Sequence, residues 1–316
     1  MVSKDPQGNS SESMDISVNI CTWNRAEILR RTLGSFKRLT IPDDVQWELI
    51  VVDNNCTDHT ADVIKSFQDR LPIRHVFEPQ QGHSASRNAA VKAGQGKLIL
   101  WTDDDVQVDR DWLRLYWEQS IRQPEVTFWG GSVRPDFEQE PPKWVTENWE
   151  ACAKIFAIRE WTESPEPMGV KNSVHLPFGA NFAIRGDVQR QFLFDTEFGR
   201  KGEGMRGFDE IDLFKRLLEL DHRGDWCIEA AVDHFIPADR VSLDYVERYY
   251  QGQGETWVVR GVSDRTAEDL RGQLRKLRRK YSLSRRISSS KNWFPQLVTL
   301  GRLQGQLLAL ERLEEA

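Results

Sequence analysis

The chain is poor in the residues that staple or anchor a protein. Its 316 residues include only four cysteines. These are Cys21, Cys56, Cys152 and Cys227, and none stands at CxxC spacing, which argues against a zinc site and a disulfide framework. A reducing, cytoplasmic location is the expectation that follows. No run of about 18 apolar residues occurs, so nothing spans a bilayer by itself as a helix. Residues 1–14 lack the apolar centre of a secretory signal and read as a disordered tail. GxGxxG and GxxxxGK[ST] are also missing, which counts against dinucleotide-binding dehydrogenases and P-loop NTPases. Positive charge is in the minority: 43 Lys and Arg against 49 Asp and Glu leave a net charge of −6. No nucleic-acid partner is expected.

Regular alternation is what the first hundred residues do contain. Short apolar runs at Ile16–Cys21, Glu48–Val52, Ile73–Glu78 and Leu98–Thr102 read as buried strands. Between them, Ala26–Lys37, Thr57–Phe67 and Ser84–Ala93 carry apolar residues at helical spacing. Strand–helix alternation of this length predicts a mostly parallel, Rossmann-like sheet flanked by helices. Such sheets bind ligands beyond the carboxyl ends of their strands. Three of the strands end in polar residues there: Thr22-Trp23-Asn24-Arg25, Asp53-Asn54-Asn55 and Asp103-Asp104-Asp105. From Thr127 to Asn181 the pattern reads as irregular, before a helix at Asp209–Asp221 and a last strand at Trp226–Val232. After Pro237 the chain reads as helical to its end.

Four constellations carry candidate chemistry. Three adjacent carboxylates repel one another unless a cation or hydrogen-bond donors offset them. Asp103-Asp104-Asp105 is therefore either a site for a hard divalent cation, Mn2+ or Mg2+, or an acidic turn capping the helix near Trp112. In an extended segment Asp103 and Asp105 would face one way and Asp104 the other. Asp209 and Glu210, followed by Asp212, open a helix after the glycine-rich stretch Gly202–Gly207. They suit the helix dipole, and either could act as a general base. Gly82 to Asn88 places a glycine before a helix bearing Arg87, which is compatible with an anion but a weak phosphate-loop match. His234 is either an ordinary hydrogen-bonded side chain or a metal ligand. Among 12 tryptophans, Trp101, Trp129 and Trp226 read as core, and Trp144, Trp149 and Trp161 as candidates to stack on a sugar.

Taken together these segments resemble the family 2 glycosyltransferases, inverting enzymes of the GT-A fold. The carrying residues are Cys21 to Arg25, Val51 to Asp58, Gly82 to Asn88 and Thr102 to Asp105, and the match covers roughly residues 15–240. The resemblance implies a nucleotide-sugar and catalytic domain over 15–240, with residues 241–316 as a helical extension. It implies that Thr22, Asn24, Arg25 and Asp53 line the nucleotide base pocket and that Arg87 contacts the nucleotide. Asp104 would lie near the ribose, with Asp103 beside it. Asp105, with His234, would hold the metal. Gly179 to Ile184 resembles the strand that borders the acceptor and donor sugar. The catalytic pair departs from the usual order: Glu210 falls at the base position and Asp209 precedes it, so either is a candidate.

The expected reaction moves a sugar from a nucleoside-diphosphate donor, UDP being the commonest, to a glycan or lipid-linked acceptor hydroxyl by single displacement. Residues 270–291 contain nine Lys and Arg and no acidic residue, so 270–294 is either a solvated helix face or a peripheral membrane contact. Two alternatives stand beside this reading. One is a sugar-phosphate nucleotidyltransferase, which would carry a glycine- and arginine-rich loop after the first strand. The other is a nucleotide-sugar or glycan-binding module without turnover.

Overall fold

The computed structural model describes residues 14–315, apart from 162, 164, 170–174 and 203. The tail expected over 1–14 falls outside the described residues except for Met14, whose carbonyl accepts from Lys97 N.

The apolar runs form β1 (Ile16–Thr22), β2 (Trp47–Asp53), β3 (Ile73–Phe77) and β4 (Leu98–Thr102). They pair in parallel in the order β3-β2-β1-β4. Helices α1 (Ala26–Phe36) and α2 (Thr60–Phe67) bury Leu29, Leu33, Val63 and Ile64 against one face, with Val18, Leu49 and Leu100. On the other face α3 (His83–Ala93) packs Ala90 and Val91 with Ile50, Val52 and Ile99. Alternate residues of β2 and β4 thus feed different cores, which is why these strands read as unbroken apolar runs.

The second half of the sheet is mixed. It comprises β5 (Val106–Val108), β6 (Phe128–Phe137), β7 (Asn181–Arg185) and β8 (Gly224–Ile236), interleaved with α4 (Trp112–Arg122), α5 (Lys143–Glu147), α6 (Trp149–Ile155), α7 (Gly186–Gln191) and α8 (Asp209–Glu219). The order continues β4-β7-β6-β8-β5. The β4–β7, β7–β6 and β8–β5 pairs are antiparallel and β6–β8 is parallel. The region expected to be irregular therefore contains a ten-residue strand, β6. Gly130, Gly131 and Pro135 dilute its apolar pattern, yet Gly131 is required. A Cβ there would come within 2.3 Å of both the Ala230 carbonyl and Asn181 Nδ2. Asn181 is fully buried and pins this bulged junction, accepting from Trp112 Nε1 and the Tyr116 hydroxyl and donating to the Ser132 and Ala230 carbonyls.

The last strand is longer than its apolar pattern. His234 lies inside β8, opposite Val106 of β5 and Pro135 of β6, rather than beyond the strand end as expected. The chain then turns through Ala238–Arg240 into α9 (Leu243–Val259), α10 (Ala267–Ile287) and α11 (Ser290–Glu315). Helices α9 and α11 meet backbone to backbone. A Cβ on Gly254 would lie 2.1 Å from the Arg302 carbonyl, and one on Gly305 1.9 Å from the Gln251 carbonyl. Tyr245, Val246, Trp293 and Phe294 join the same core as the sheet. Trp144, a sugar-stacking candidate, is instead stacked on Phe294 at 5.6 Å.

Candidate active site

The loops after β1 and β2 are stitched together. Asn24, in the left-handed region at φ 52°, accepts from Thr57 N at 2.7 Å through Oδ1. Its own N–H donates to Cys56 Sγ, and Cys56 N donates to Asp53 Oδ1 at 2.8 Å. Asp53 Oδ2 faces His75 Nε2 at 3.6 Å. Asn54 donates to the Glu78 and Gln80 carbonyls and accepts from Gly82 N. The strand ends that the sequence aimed at one crevice are thus held in one place by side chains.

The acidic triplet occupies the turn between β4 and β5. It does not cap α4, and it does not alternate as an extended segment would. The Arg25 guanidinium spans two of its members, with Nη1 on Asp104 Oδ1 and Nη2 on Asp105 Oδ2 at 2.8 Å. Thr22 Oγ1 donates to Asp104 Oδ2 at 2.7 Å and Thr32 Oγ1 to the Asp104 carbonyl. Burial raises the Asp104 carboxyl to about 6, with Asp105 adding to the shift against the pull of Arg25. For Asp105 burial also opposes ionisation, but Arg25, His234 and Arg240 hold the carboxyl well below its ordinary range. Asp103 is half-buried, and its charge helps keep Arg25, Arg87 and Arg200 protonated.

One corner of this cluster suits a cation. His234 Nδ1 lies 2.7 Å from the Phe156 carbonyl. A carbonyl can only accept, so Nδ1 carries a hydrogen, and in the neutral form of the ring Nε2 would present a lone pair. Nε2 faces Asp105 Oδ1 at 3.3 Å, and that buried oxygen has no hydrogen-bond donor among the described residues. With that ring neutral, two lone pairs face each other beside the Arg240 guanidinium, whose Nη1 is 3.4 Å from Nε2, and a proton or a cation between them would satisfy both. Among the described residues no group of three or more His, Cys, Asp or Glu could hold a metal alone. The donor set therefore fits a hard divalent cation that takes its remaining ligands from substrate phosphate and water.

The second acidic pair is asymmetric. Phe208, left-handed at φ 92°, starts α8, so Asp209 and Glu210 point into the first turn. Asp209 Oδ2 is 2.9 Å from Arg87 Nη1 and 3.2 Å from His83 Nδ1. Arg87, expected at the nucleotide, is 2% exposed. Its guanidinium lies behind the acidic pair and over the Trp101, Phe182 and Phe194 rings. Gly179 allows this, since a Cβ there would fall 2.2 Å from Arg87 Nη2. Glu210 is more open: Oε1 accepts from Gly179 N at 3.2 Å, and Oε2 stays 3.7 Å from Arg87. Burial, and then the adjacent Asp209, push the Glu210 carboxyl up to about 8. For Asp209 the burial penalty is outweighed by Arg87 and His83, and its carboxyl falls far below its ordinary range.

The model of glycosyl transferase family 2 matches residues 17–185, more than half of the chain. The chain belongs to glycosyl transferase family 2. The validoxylamine A glucosyltransferase of Streptomyces hygroscopicus subsp. jinggangensis is 37% identical over 101 residues, which is 31% of this chain and 24% of that protein. The Bacillus subtilis glycosyltransferase YwdF is 37% identical over 93 residues, 29% of this chain and 33% of the relative. These matches thus cover a third or less of either partner. Among solved structures, a Pyrobaculum calidifontis mannosyltransferase in complex with GDP-Man and Mn2+ superposes with a TM-score of 0.57 at 15% identity, covering 96% of this chain and 87% of that one. Staphylococcus aureus TarS 1–349 in complex with UDP gives 0.54 at 14% identity, covering 96% and 92%. At such identities the likeness is one of fold.

Sequence reasoning missed His83, which flanks Asp209, and Arg240, whose Nη1 lies 3.1 Å from Asp105 Oδ2 and 3.4 Å from His234 Nε2. Arg240 follows His234 by six positions, and only the turn after β8 brings it back to the site. His83 was within the motif already singled out, one residue after Gly82.

Proposed function

We propose that this family 2 chain transfers a sugar from a nucleoside-diphosphate donor to an acceptor hydroxyl with inversion at the anomeric carbon. The observation that carries the mechanism is the asymmetry of the acidic pair, with Asp209 locked as a carboxylate against Arg87 and Glu210 beside it at a raised pKa. Glu210 takes the acceptor's hydroxyl proton. The freed oxygen then bonds to the anomeric carbon from the face opposite the diphosphate. As that bond forms, the bond to the diphosphate oxygen breaks and the nucleoside diphosphate leaves. A base with a pKa near 8 abstracts a proton more readily than an ordinary glutamate would. Arg87 acts as a positioning residue: it fixes Asp209, and Asp209 sets the proton affinity of Glu210.

Asp105 and His234 are the proposed holders of a divalent cation, which when bound would neutralise charge on the diphosphate. Thr22, Asn24, Arg25 and Asp53 form the wall for the nucleotide, with Asp103 and Asp104 toward the ribose. The class of donor is supported by the fold neighbours, which are described with UDP and with GDP-Man and Mn2+. The absence of a glycine- and arginine-rich loop after β1 weighs against a nucleotidyltransferase, and the paired site weighs against a silent binding module. The deciding measurement is release of nucleoside diphosphate from a panel of donor sugars, with and without Mn2+. Release from at least one donor, lost on chelation, is expected. Tight nucleotide binding with no release from any donor would instead favour the binding module.

The same reading extends to where the acceptor sits. Helix α10 buries Leu270 and Leu274 against Leu300 and Leu303 of α11. Its other side shows Arg275, Lys276, Arg279, Lys280 and Arg286 together with Leu283 and Ile287, 61% and 74% exposed. No helix among the described residues is long and apolar enough to cross a membrane, so the proposed contact is peripheral, on anionic lipid. Sedimentation with anionic but not neutral vesicles, weakened by salt, is the expected behaviour. Equal recovery in both supernatants would refute it.

A further inference from the structure

A second cluster lies beside the acidic pair, and it contains hydrogen-bond donors without acceptors. Arg159 follows α6 and bridges to Val133 of β6. Its guanidinium carbon is 4.4 Å from the Phe178 ring centroid, 5.7 Å from Trp161 and 5.8 Å from Trp226. The two indoles meet edge to face at 5.0 Å. Three buried N–H groups in this one cluster, Arg159 Nε, Trp161 Nε1 and Trp226 Nε1, have no hydrogen-bond partner among the described residues. Trp226 is 6% exposed, and a Cβ on Gly130 would meet its Cζ3 at 2.5 Å. Cζ3 is the corner of the indole opposite Nε1, so the unpartnered N–H is turned away from β6.

Among the described residues no carboxylate stands within ion-pair distance of Arg159, and its nearest polar partner is His175 Nδ1 at 3.3 Å. Burial pulls the Arg159 guanidinium down to about 10, a cost that the surrounding rings offset only in part and that no carboxylate among the described residues offsets. A half-buried arginine with aromatic walls and a buried, unmet Nε–H is the complement of an oxyanion. Its location gives the anion a role, because Phe178 under the guanidinium precedes Gly179, whose N–H holds Glu210.

We propose that Arg159, Trp161 and Trp226 form an acceptor subsite for an oxyanion, a phosphate or a carboxylate carried by the acceptor next to the hydroxyl that Glu210 deprotonates. This rests on the glycosyl-transfer reading for its purpose, but the binding step can be measured apart from it. The full-length protein is titrated with inorganic phosphate, with glucuronate and with glucose, following tryptophan fluorescence and heat. Saturable binding of phosphate or glucuronate but not of glucose is expected, and whichever anion binds more tightly identifies the source. Arg159→Gln should weaken that binding roughly ten- to a hundredfold, and Trp226→Phe, which keeps a ring but removes Nε1, about fivefold. Asp105→Ala should leave it unchanged, and thermal melts of each variant confirm folding. No saturable anion binding, or binding that a folded Arg159→Gln or Trp226→Phe protein retains in full, overturns the subsite. Donor turnover is measured on the same wild-type sample. Anion binding without turnover from any donor defeats the transferase reading alone, and turnover without anion binding defeats the subsite alone.

Discussion

Two pairs of adjacent carboxylates, Asp104-Asp105 and Asp209-Glu210, each lie within ion-pair reach of an arginine that approaches both members, Arg25 and Arg87, yet these arginines treat them differently. Arg25, 26% exposed at its side chain, forks across both members of the first pair. Arg87, 2% exposed, lies 2.9 Å from Asp209 but 3.7 Å from Glu210. In the first pair both carboxylates are engaged, and a second guanidinium, that of Arg240, stands with His234 on the Asp105 side. In the second, one carboxylate is neutralised and the other is left to share its field. Two adjacent carboxylates with a spanning guanidinium and a second one beside it make a binding cluster in one place, and two with a single, lopsided guanidinium make a proton acceptor in the other. What differs is how far the guanidinium reaches and how dry its surroundings are.

The strongest test of this contrast separates the members of the second pair. Glu210→Gln should lower kcat by about 10²- to 10⁴-fold while leaving donor binding intact. Asp209→Asn should act mainly on folding, because it leaves the buried Arg87 with only Glu210, 3.7 Å away, as counter-charge. Steady-state kinetics beside urea denaturation distinguish the two. Retained activity in Glu210→Gln with a folded but inactive Asp209→Asn would reverse the assignment of the base.

Next comes the contrast between the arginines. Arg87→Met should cost about 3–5 kcal/mol of stability, the range for breaking a buried pair. Arg25→Met should cost less, roughly 1–3 kcal/mol, because Thr22 still donates to Asp104 while Arg240 and His234 still face Asp105. Equal costs in urea denaturation would show that exposure is not what separates the clusters.

The smallest effect is the pH profile. If Glu210 is the base, kcat/KM should rise with pH and level off above about 8, losing close to tenfold per unit below it. Stability should run the other way. Glu210 binds its proton more tightly in the folded chain than unfolded, where its value is 4.5. The stabilisation is therefore complete below about 4.5 and lost as pH rises through about 8. Glu210→Gln should remove this slope. A profile already flat from pH 6 upward would mean that Glu210 ionises as an ordinary glutamate.

The two halves of the sheet were not equally readable. From β1 to β4 the strand limits follow the apolar runs to within a residue or two, since β1, β2 and β4 are buried on both faces, whereas β3 at the sheet edge is partly exposed and not the buried strand expected. The strands β5 and β6 were not visible. Val106-Gln107-Val108 is too short to show a period, and β6 carries the glycines that its bulge and Asn181 require. The ends of β8 were missed because Asp233 and His234 interrupt its pattern, although His234 is only 4% exposed.

The sequence by itself determined the parallel half of the sheet, the polar strand ends gathered beyond it and the identity of the acidic groups. These depend on side-chain periodicity and on neighbours a few positions apart. Only the tertiary structure decided how the charges are shared. Arg25 reaches across 79 and 80 residues to Asp104 and Asp105, and Arg87 across 122 to Asp209. The order β4-β7-β6-β8-β5 carries His234 and Arg240 back to Asp105. The proton affinity of a carboxylate is set by the charges and burial around it in space, and strand order, not sequence distance, determines both.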